Sequence, residues 1–211
     1  MKKTKFISKL IFISVLIIFI IVLFNRKESF SFSDERVLSY TAKSSFPKDV
    51  YGTPVYTAII SEGPARPMIK RKIKYIVIHE TDNFAKGVGA QNHANFLSYN
   101  NTSTTSWHYT VDDHEIYHHI PDNEIAYHAG EKVGNEFGIG IELCVNDDGD
   151  FTKTFENAAK LVAYLLKEYD LDISALKTHH DFSGKDCPHK ILSTNRMPEF
   201  QTKIAYYLSI K

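Results

Sequence analysis

Apolar and polar positions change their spacing several times along the chain, and each change predicts an element. Residues 10–24, LIFISVLIIFIIVLF, are apolar apart from Ser14, and Lys2, Lys3, Lys5 and Lys9 precede them. Fifteen helical residues reach about 22 Å; adding Phe6, Ile7 and a snorkelling Lys9 extends the span to about 28 Å, close to a hydrocarbon core of roughly 30 Å. Basic residues before the run and balanced charge after it put the N-terminus in the cytoplasm and export the rest. Residues 1–33 therefore read as a signal anchor that meets the membrane through residues 6–24. Cleavage as a signal peptide near Ser29-Phe30-Ser31 is the alternative. Residues 34–52 follow as a polar tether, and 53–211 as the folded body.

Within the body, Tyr75-Ile76-Val77-Ile78 is a continuous β-rich run suited to a strand buried on both faces. Residues 90–99 predict a short helix after a loop containing Gly87 and Gly89. Trp107 to Val111 and Glu115 to Ile120 predict two short strands around Asp112-Asp113. Ile139 to Val145 predicts another, closed by the turn cluster Asn146-Asp147-Asp148-Gly149-Asp150. Phe155, Ala158, Ala159, Val162, Leu165, Leu166 and Tyr169 recur at helical spacing, giving one apolar face to lay on a sheet. A last helix covers about Pro198 to Leu208. Strands interleaved with helices predict the α/β class, a mixed central β-sheet flanked by helices.

Composition sharpens this picture in two places. The 25 basic and 25 acidic residues cancel, but residues 1–33 carry +5 and residues 34–211 carry −5. An acidic body argues against nucleic acid as a partner. Two cysteines are too few for a disulfide framework or a four-cysteine zinc site. The ten histidines all lie between His79 and His189.

That clustering suggests a metal. His79 ends the buried strand, where the carboxyl edge of a sheet opens onto a site in α/β folds. A second group, Thr178-His179-His180-Asp181-Phe182-Ser183-Gly184-Lys185-Asp186-Cys187-Pro188-His189, offers imidazole and thiolate together. His79, one of His179 and His180, and Cys187 would give zinc three protein ligands and leave one position open. Spacing alone leaves a second reading standing: surface histidines, with Cys187 and Cys144 joined in a disulfide. Glu142, between Ile141 and Leu143, points opposite to two apolar neighbours, towards either a cleft or solvent.

Six segments run in the order of a known family: Ile76-Val77-Ile78-His79-Glu80-Thr81, Ser106-Trp107-His108-Tyr109-Thr110-Val111-Asp112-Asp113, Ile120-Pro121-Asp122-Asn123, Tyr127-His128-Ala129-Gly130, Gly138-Ile139-Gly140-Ile141-Glu142-Leu143 and His179 to Pro188. Together they resemble the zinc-dependent N-acetylmuramoyl-L-alanine amidases shared by autolysins, phage endolysins and peptidoglycan-recognition proteins. The resemblance covers roughly residues 65–211. It implies one zinc ion per chain on His79, His179 and Cys187, with His179 preferred because the family's histidine stands eight residues before its cysteine. It also implies Glu142 as the catalytic base, Lys185 as a stabiliser of negative charge, and His128 and Trp107 as substrate contacts. Phe182 stands where Trp is often found, and Glu80 where Asn is common. Cys144 matches no family ligand and reads as a buried thiol.

The resemblance implies a peptidoglycan hydrolase that cuts the amide between N-acetylmuramic acid and the L-alanine of the stem peptide. Such an enzyme would act as a monomer outside the cytoplasm, anchored or secreted. The rival is a muropeptide-binding protein of the same fold that does not cut. Cys187 discriminates between them, since non-catalytic relatives usually lack that ligand. A histidine-rich metal carrier would instead need ligands in flexible sequence.

Overall fold

The computed structural model describes residues 46–99 and 102–210. The apolar run 10–24, the membrane segment 6–24, the signal anchor 1–33 and residues 34–45 of the tether lie outside the described residues. Among the described residues, no helix is long and apolar enough to cross a membrane.

Among the described residues, seven strands form one mixed sheet: β1 (Asp49–Val50), β2 (Thr53–Thr57), β3 (Tyr75–Glu80), β4 (Tyr109–Val111), β5 (Ile116–His118), β6 (Gly138–Leu143) and β7 (Leu176–Thr178). Their order is β1-β2-β5-β4-β6-β3-β7. The pairs β1–β2 and β4–β5 are antiparallel; β2–β5, β4–β6, β6–β3 and β3–β7 are parallel. Helices α1 (Ala90–Tyr99), α2 (Lys132–Phe137), α3 (Phe151–Glu168), α4 (His179–Ser183), α5 (His189–Leu192) and α6 (Met197–Ser209) flank it. The mixed α/β architecture is therefore as the periodicity predicts.

The pleat divides the two central strands cleanly. Ile76 and Ile78 of β3 and Ile139, Ile141 and Leu143 of β6 enter the main core, together with Phe155, Leu161, Val162, Leu165 and Leu166 of α3. Each buried Leu or Ile contributes about 1.5–3 kcal/mol. The alternate positions, Val77 and His79 with Gly140 and Glu142, turn to the opposite face. A smaller cluster of Ile60, Ala65, Leu97, Trp107, Ile120 and Ala126 packs separately from the main core. Asp150 starts α3 by accepting the Thr152 and Lys153 N–H groups, which satisfies two donors left open at a helix start.

The fold begins earlier than the sequence suggests. Residues 46–52, read as the end of a tether, add β1 to the sheet edge. The Phe46 ring packs 5.4, 5.1 and 5.2 Å from Tyr109, His118 and Tyr164. Val50 alone of the two β1 residues is buried, and a two-residue strand has no period to read. The hairpin strands are shorter than their apolar runs: Trp107 and His108 precede β4, and His119 and Ile120 follow β5.

Beneath the hairpin lies a buried carboxylate. Asp122 accepts the Tyr109 hydroxyl at 2.6 Å and the Tyr169 hydroxyl at 2.6 Å, with His118 Nε2 3.3 Å away. Burial alone would raise this carboxyl, but the hydrogen bonds from His118, Tyr109 and Tyr169 outweigh it and hold it below its usual range. Asp122→Ala removes the shared acceptor and should cost about 3–5 kcal/mol in urea unfolding. A loss under about 1 kcal/mol would show that the network contributes little to stability.

Candidate active site

Three strand ends build the site. His79 on β3 and Glu142 on β6 are register partners, so the parallel pairing sets an imidazole beside a carboxylate on the face turned away from the main core. Thr110 on β4 is the next partner of Glu142. β7 ends at Thr178, which starts α4 with a reciprocal cap: its hydroxyl accepts the Asp181 N–H at 3.3 Å, and Asp181 Oδ2 accepts the Thr178 N–H at 2.7 Å. His179, the first residue of α4, is buried, whereas His180 is exposed.

Cys187 arrives on the loop between α4 and α5. Its carbonyl accepts the His180 N–H at 3.1 Å and its own N–H donates to the Lys185 carbonyl at 2.8 Å. The Glu80 N–H donates to Cys187 Sγ at 3.5 Å. The Glu80 carboxylate accepts the Lys190 and Ile191 N–H groups at 2.9 and 3.2 Å, fastening α5 to the end of β3. Glu80 thus has a structural task on the loop that carries Cys187.

His79 Nδ1 lies 3.0 Å from His179 Nδ1 and 3.9 Å from Cys187 Sγ. The ligand atoms of the three residues all fall within 4.8 Å of one another. A tetrahedral zinc, with Zn–N near 2.0–2.1 Å and Zn–S near 2.3 Å, spaces its ligand atoms by roughly 3.3–3.7 Å. The donor set and its spacing therefore suit zinc. Burial, with His128, His179 and Lys185 nearby, holds the His79 imidazole well below its usual pKa and so neutral. A neutral ring is the form that binds a metal. Burial also pushes the Cys187 thiol up to about 12. A bound cation reverses that, because coordination deprotonates a thiol. Cys144 and Cys187 are both free and both buried, so the disulfide reading of the sequence is not realised here.

Beside this ligand set lies a cavity of about 660 Å³. Glu142, His179, Lys185 and Cys187 form part of its wall, His128 and Trp107 another part, and Thr104, Thr105, Tyr127, Gly130 and Asn135 much of the rest. Trp107 is held by its Nε1–H, which donates to Thr110 Oγ1 at 2.7 Å; Thr110 Oγ1 lies 2.9 Å from His119 Nε2. Both ring nitrogens of His128 are engaged within the protein, Nδ1 with His79 and Nε2 with the Gly138 carbonyl.

Glu142 is half-buried and its Oε2 is enclosed without a hydrogen-bond partner. Burial pushes its carboxyl up to about 8; Lys185 opposes the shift and Glu80 adds to it. In the metal-free protein this has a pH signature. The unfolded chain releases the Glu142 proton near 4.5, while the folded chain keeps it until about 8, so the native state loses stability as pH rises between those values. Glu142→Gln removes that loss. Its stability advantage over the wild type, measured by urea unfolding with chelator present, should grow by about 1–3 kcal/mol from pH 4.5 to 8 and then level off. A gain independent of pH would mean that the carboxyl titrates normally.

Sequence reasoning missed several residues that shape the site. Asn135 Oδ1 accepts the N–H groups of His128 and Ala129 at 2.8 and 2.7 Å. His108 Nδ1 accepts the Gly140 N–H at 3.0 Å from its fully buried position beside β6. Only His108, inside a family-like segment, carried any signal in the sequence.

Residues 69–190 match the family described as N-acetylmuramoyl-L-alanine amidase. The chain belongs to the N-acetylmuramoyl-L-alanine amidase family. It is 48% identical over 122 residues to the amidase XlyA of Bacillus subtilis strain 168, covering 57% of this chain and 41% of XlyA. It is 45% identical over 130 residues to the amidase CwlH of the same organism, covering 60% of this chain and 52% of CwlH. The chain thus spans about half the length of these curated relatives. Among solved structures it resembles the catalytic domain of XlyA with a TM-score of 0.69 at 41% identity, over 72% of this chain and 99% of that one. It also resembles PlyL with a TM-score of 0.66 at 30% identity, over 72% and 97% of the two chains. The amidase family region takes in His79, Glu142, His179, Lys185 and Cys187.

Proposed function

We propose that this chain is a zinc-dependent peptidoglycan hydrolase that cleaves the amide between N-acetylmuramic acid and the L-alanine of the stem peptide. The observation that carries the reading is a His79-His179-Cys187 ligand set of which His179 and Cys187 share a cavity wall with Glu142 and Lys185. Family membership and the amidase names of XlyA and CwlH support the choice of bond.

An amide has a poor leaving group and a weakly electrophilic carbon, so its hydrolysis needs an activated water, a stabilised oxyanion and a proton for the amine. His79, His179 and Cys187 would hold the zinc, which when bound would polarise the scissile carbonyl and acidify the attacking water. Glu142 takes the water's proton and returns one to the departing L-alanine nitrogen. Its enclosed, unpartnered oxygen and raised pKa suit a carboxyl that alternates between base and acid near neutral pH. Lys185, exposed and two residues from Cys187, brings an ammonium to the cavity wall to steady the developing oxyanion. Trp107, fixed through Thr110, offers a rigid apolar wall for the sugar or stem peptide.

The test is mass analysis of muropeptides released from purified peptidoglycan by the full chain, with and without chelator. Products that separate lactyl-bearing glycan from peptides with a free L-alanine terminus, lost on chelation and restored by zinc, are expected. Cuts within the peptide or glycan, or chelator-insensitive cleavage, would overturn the reading, and tight muropeptide binding without products would favour the binding-protein alternative. The apolar run at residues 10–24 with its lysine flank supports delivery outside the cytoplasm on a membrane anchor. Recovery of the full chain in an alkali-washed membrane fraction tests that part separately.

A further inference from the structure

We propose that His128 is a positioning residue that sets the tautomer of His79 and thereby aims its Nδ1 lone pair at the metal position. The inference rests on the zinc reading above and extends it to a residue outside the ligand set.

The argument starts from a carbonyl. Gly138 O can only accept, and it lies 3.1 Å from His128 Nε2, so that nitrogen carries the proton. His128 is buried, and its ring partners are an imidazole and a carbonyl with no carboxylate to balance a second proton, so the site holds a neutral ring. A neutral imidazole has one N–H, which leaves Nδ1 as an acceptor. His128 Nδ1 stands 3.0 Å from His79 Nε2, so His79 must donate there. His79 is thereby fixed as the Nε2–H tautomer, and its Nδ1 carries the free lone pair. That Nδ1 faces His179 Nδ1 and Cys187 Sγ. A chain of two hydrogen bonds, from backbone carbonyl through His128 to His79, orients the ligand before any metal arrives.

The surroundings of His128 are shaped for this task. A Cβ at Gly140 would stand 2.6 Å from His128 Cγ, so only glycine there lets the ring lie against β6. Asn135 grips the His128 backbone through its N–H. The two imidazoles meet edge to face at 84° with centroids 4.9 Å apart, a geometry that directs one ring's N–H at the other's nitrogen. With both nitrogens engaged, His128 meets a substrate through its carbon edge alone.

Three variants of the full chain separate this role from packing. In His128→Asn, the amide oxygen can sit where Nδ1 was and still accept from His79; His128→Gln reaches the Nε2 place instead, and His128→Ala offers neither. Zinc affinity, read by competition with a chromophoric chelator, should fall about 10–100-fold in the Gln and Ala variants and recover most of that in Asn. Thermal unfolding of the metal-free forms establishes that each is folded. Unchanged affinity in His128→Gln, or equal loss in all three variants, would overturn the proposal. A second measurement needs no variant: long-range ¹H–¹⁵N correlation on the metal-free wild type should show His79 protonated at Nε2, and an Nδ1–H tautomer would refute it. If the wild-type chain takes up no zinc while His79 shows the Nε2–H form, the zinc reading fails and the tautomer assignment stands.

Discussion

A Cys187→Ser chain should fold, bind zinc far more weakly than the wild type, and release at least about a thousandfold less product from peptidoglycan. Zinc prefers thiolate to a neutral hydroxyl, and a site with only two strong ligands neither retains the ion nor fixes an open position on it. His79→Ala should do the same from the other side of the site, because it empties a position on a buried central strand. Folding should survive in both, since neither side chain belongs to the main core built from β3, β6 and α3. The measurements are bound metal per chain after dialysis and the appearance of free L-alanine amino termini. Wild-type turnover in either variant would remove zinc from the mechanism altogether.

Glu142→Gln should separate metal binding from chemistry. Glutamine keeps the size and the strand position but cannot take a proton from water, so turnover should fall by about 10²–10⁴ while bound zinc stays near the wild-type amount. The side chain has no place in the ligand set, which is why the metal is spared. The variant is also expected to be at least as stable as the wild type without metal, because the substitution replaces an enclosed carboxyl lacking a hydrogen-bond partner. Normal turnover by Glu142→Gln would place the base elsewhere on the cavity wall. Simultaneous loss of zinc and turnover would instead make Glu142 part of the metal's surroundings.

Much of this site was legible because its chemistry uses scarce residues. A histidine ending an apolar strand and a cysteine near other histidines stand out in any composition. Choosing His179 over His180 was different, since the two have the same chemistry. The Thr178–Asp181 cap starts α4 so that the first histidine turns inwards and the second outwards, and that is a property of helix phase. The residues that hold the ligands were not legible. Glu80 meets its partners 110 and 111 residues away, and Asn135 meets His128 through a loop seven residues back. Nothing in local pattern marks an acceptor for a distant backbone N–H. Among the elements, long periodic stretches such as Phe151–Glu168 were readable, while β1 and β7, with two and three residues, offered too few positions to show alternation.

The alternation along β6 has a further consequence for how this protein can move. Ile139, Ile141 and Leu143 seal the main core, while between them Gly140 makes room for the His128 ring and Glu142 lines the cavity. Loosening this strand to reshape the cavity floor would therefore pull three fully buried side chains out of the core, at about 1.5–3 kcal/mol each. Under the proposed function, changes in substrate would fall to the cavity's other walls, the Thr104–Thr105 segment and the loops carrying Tyr127 and Lys185. The chemistry proposed above would thus rest on a strand anchored in the core.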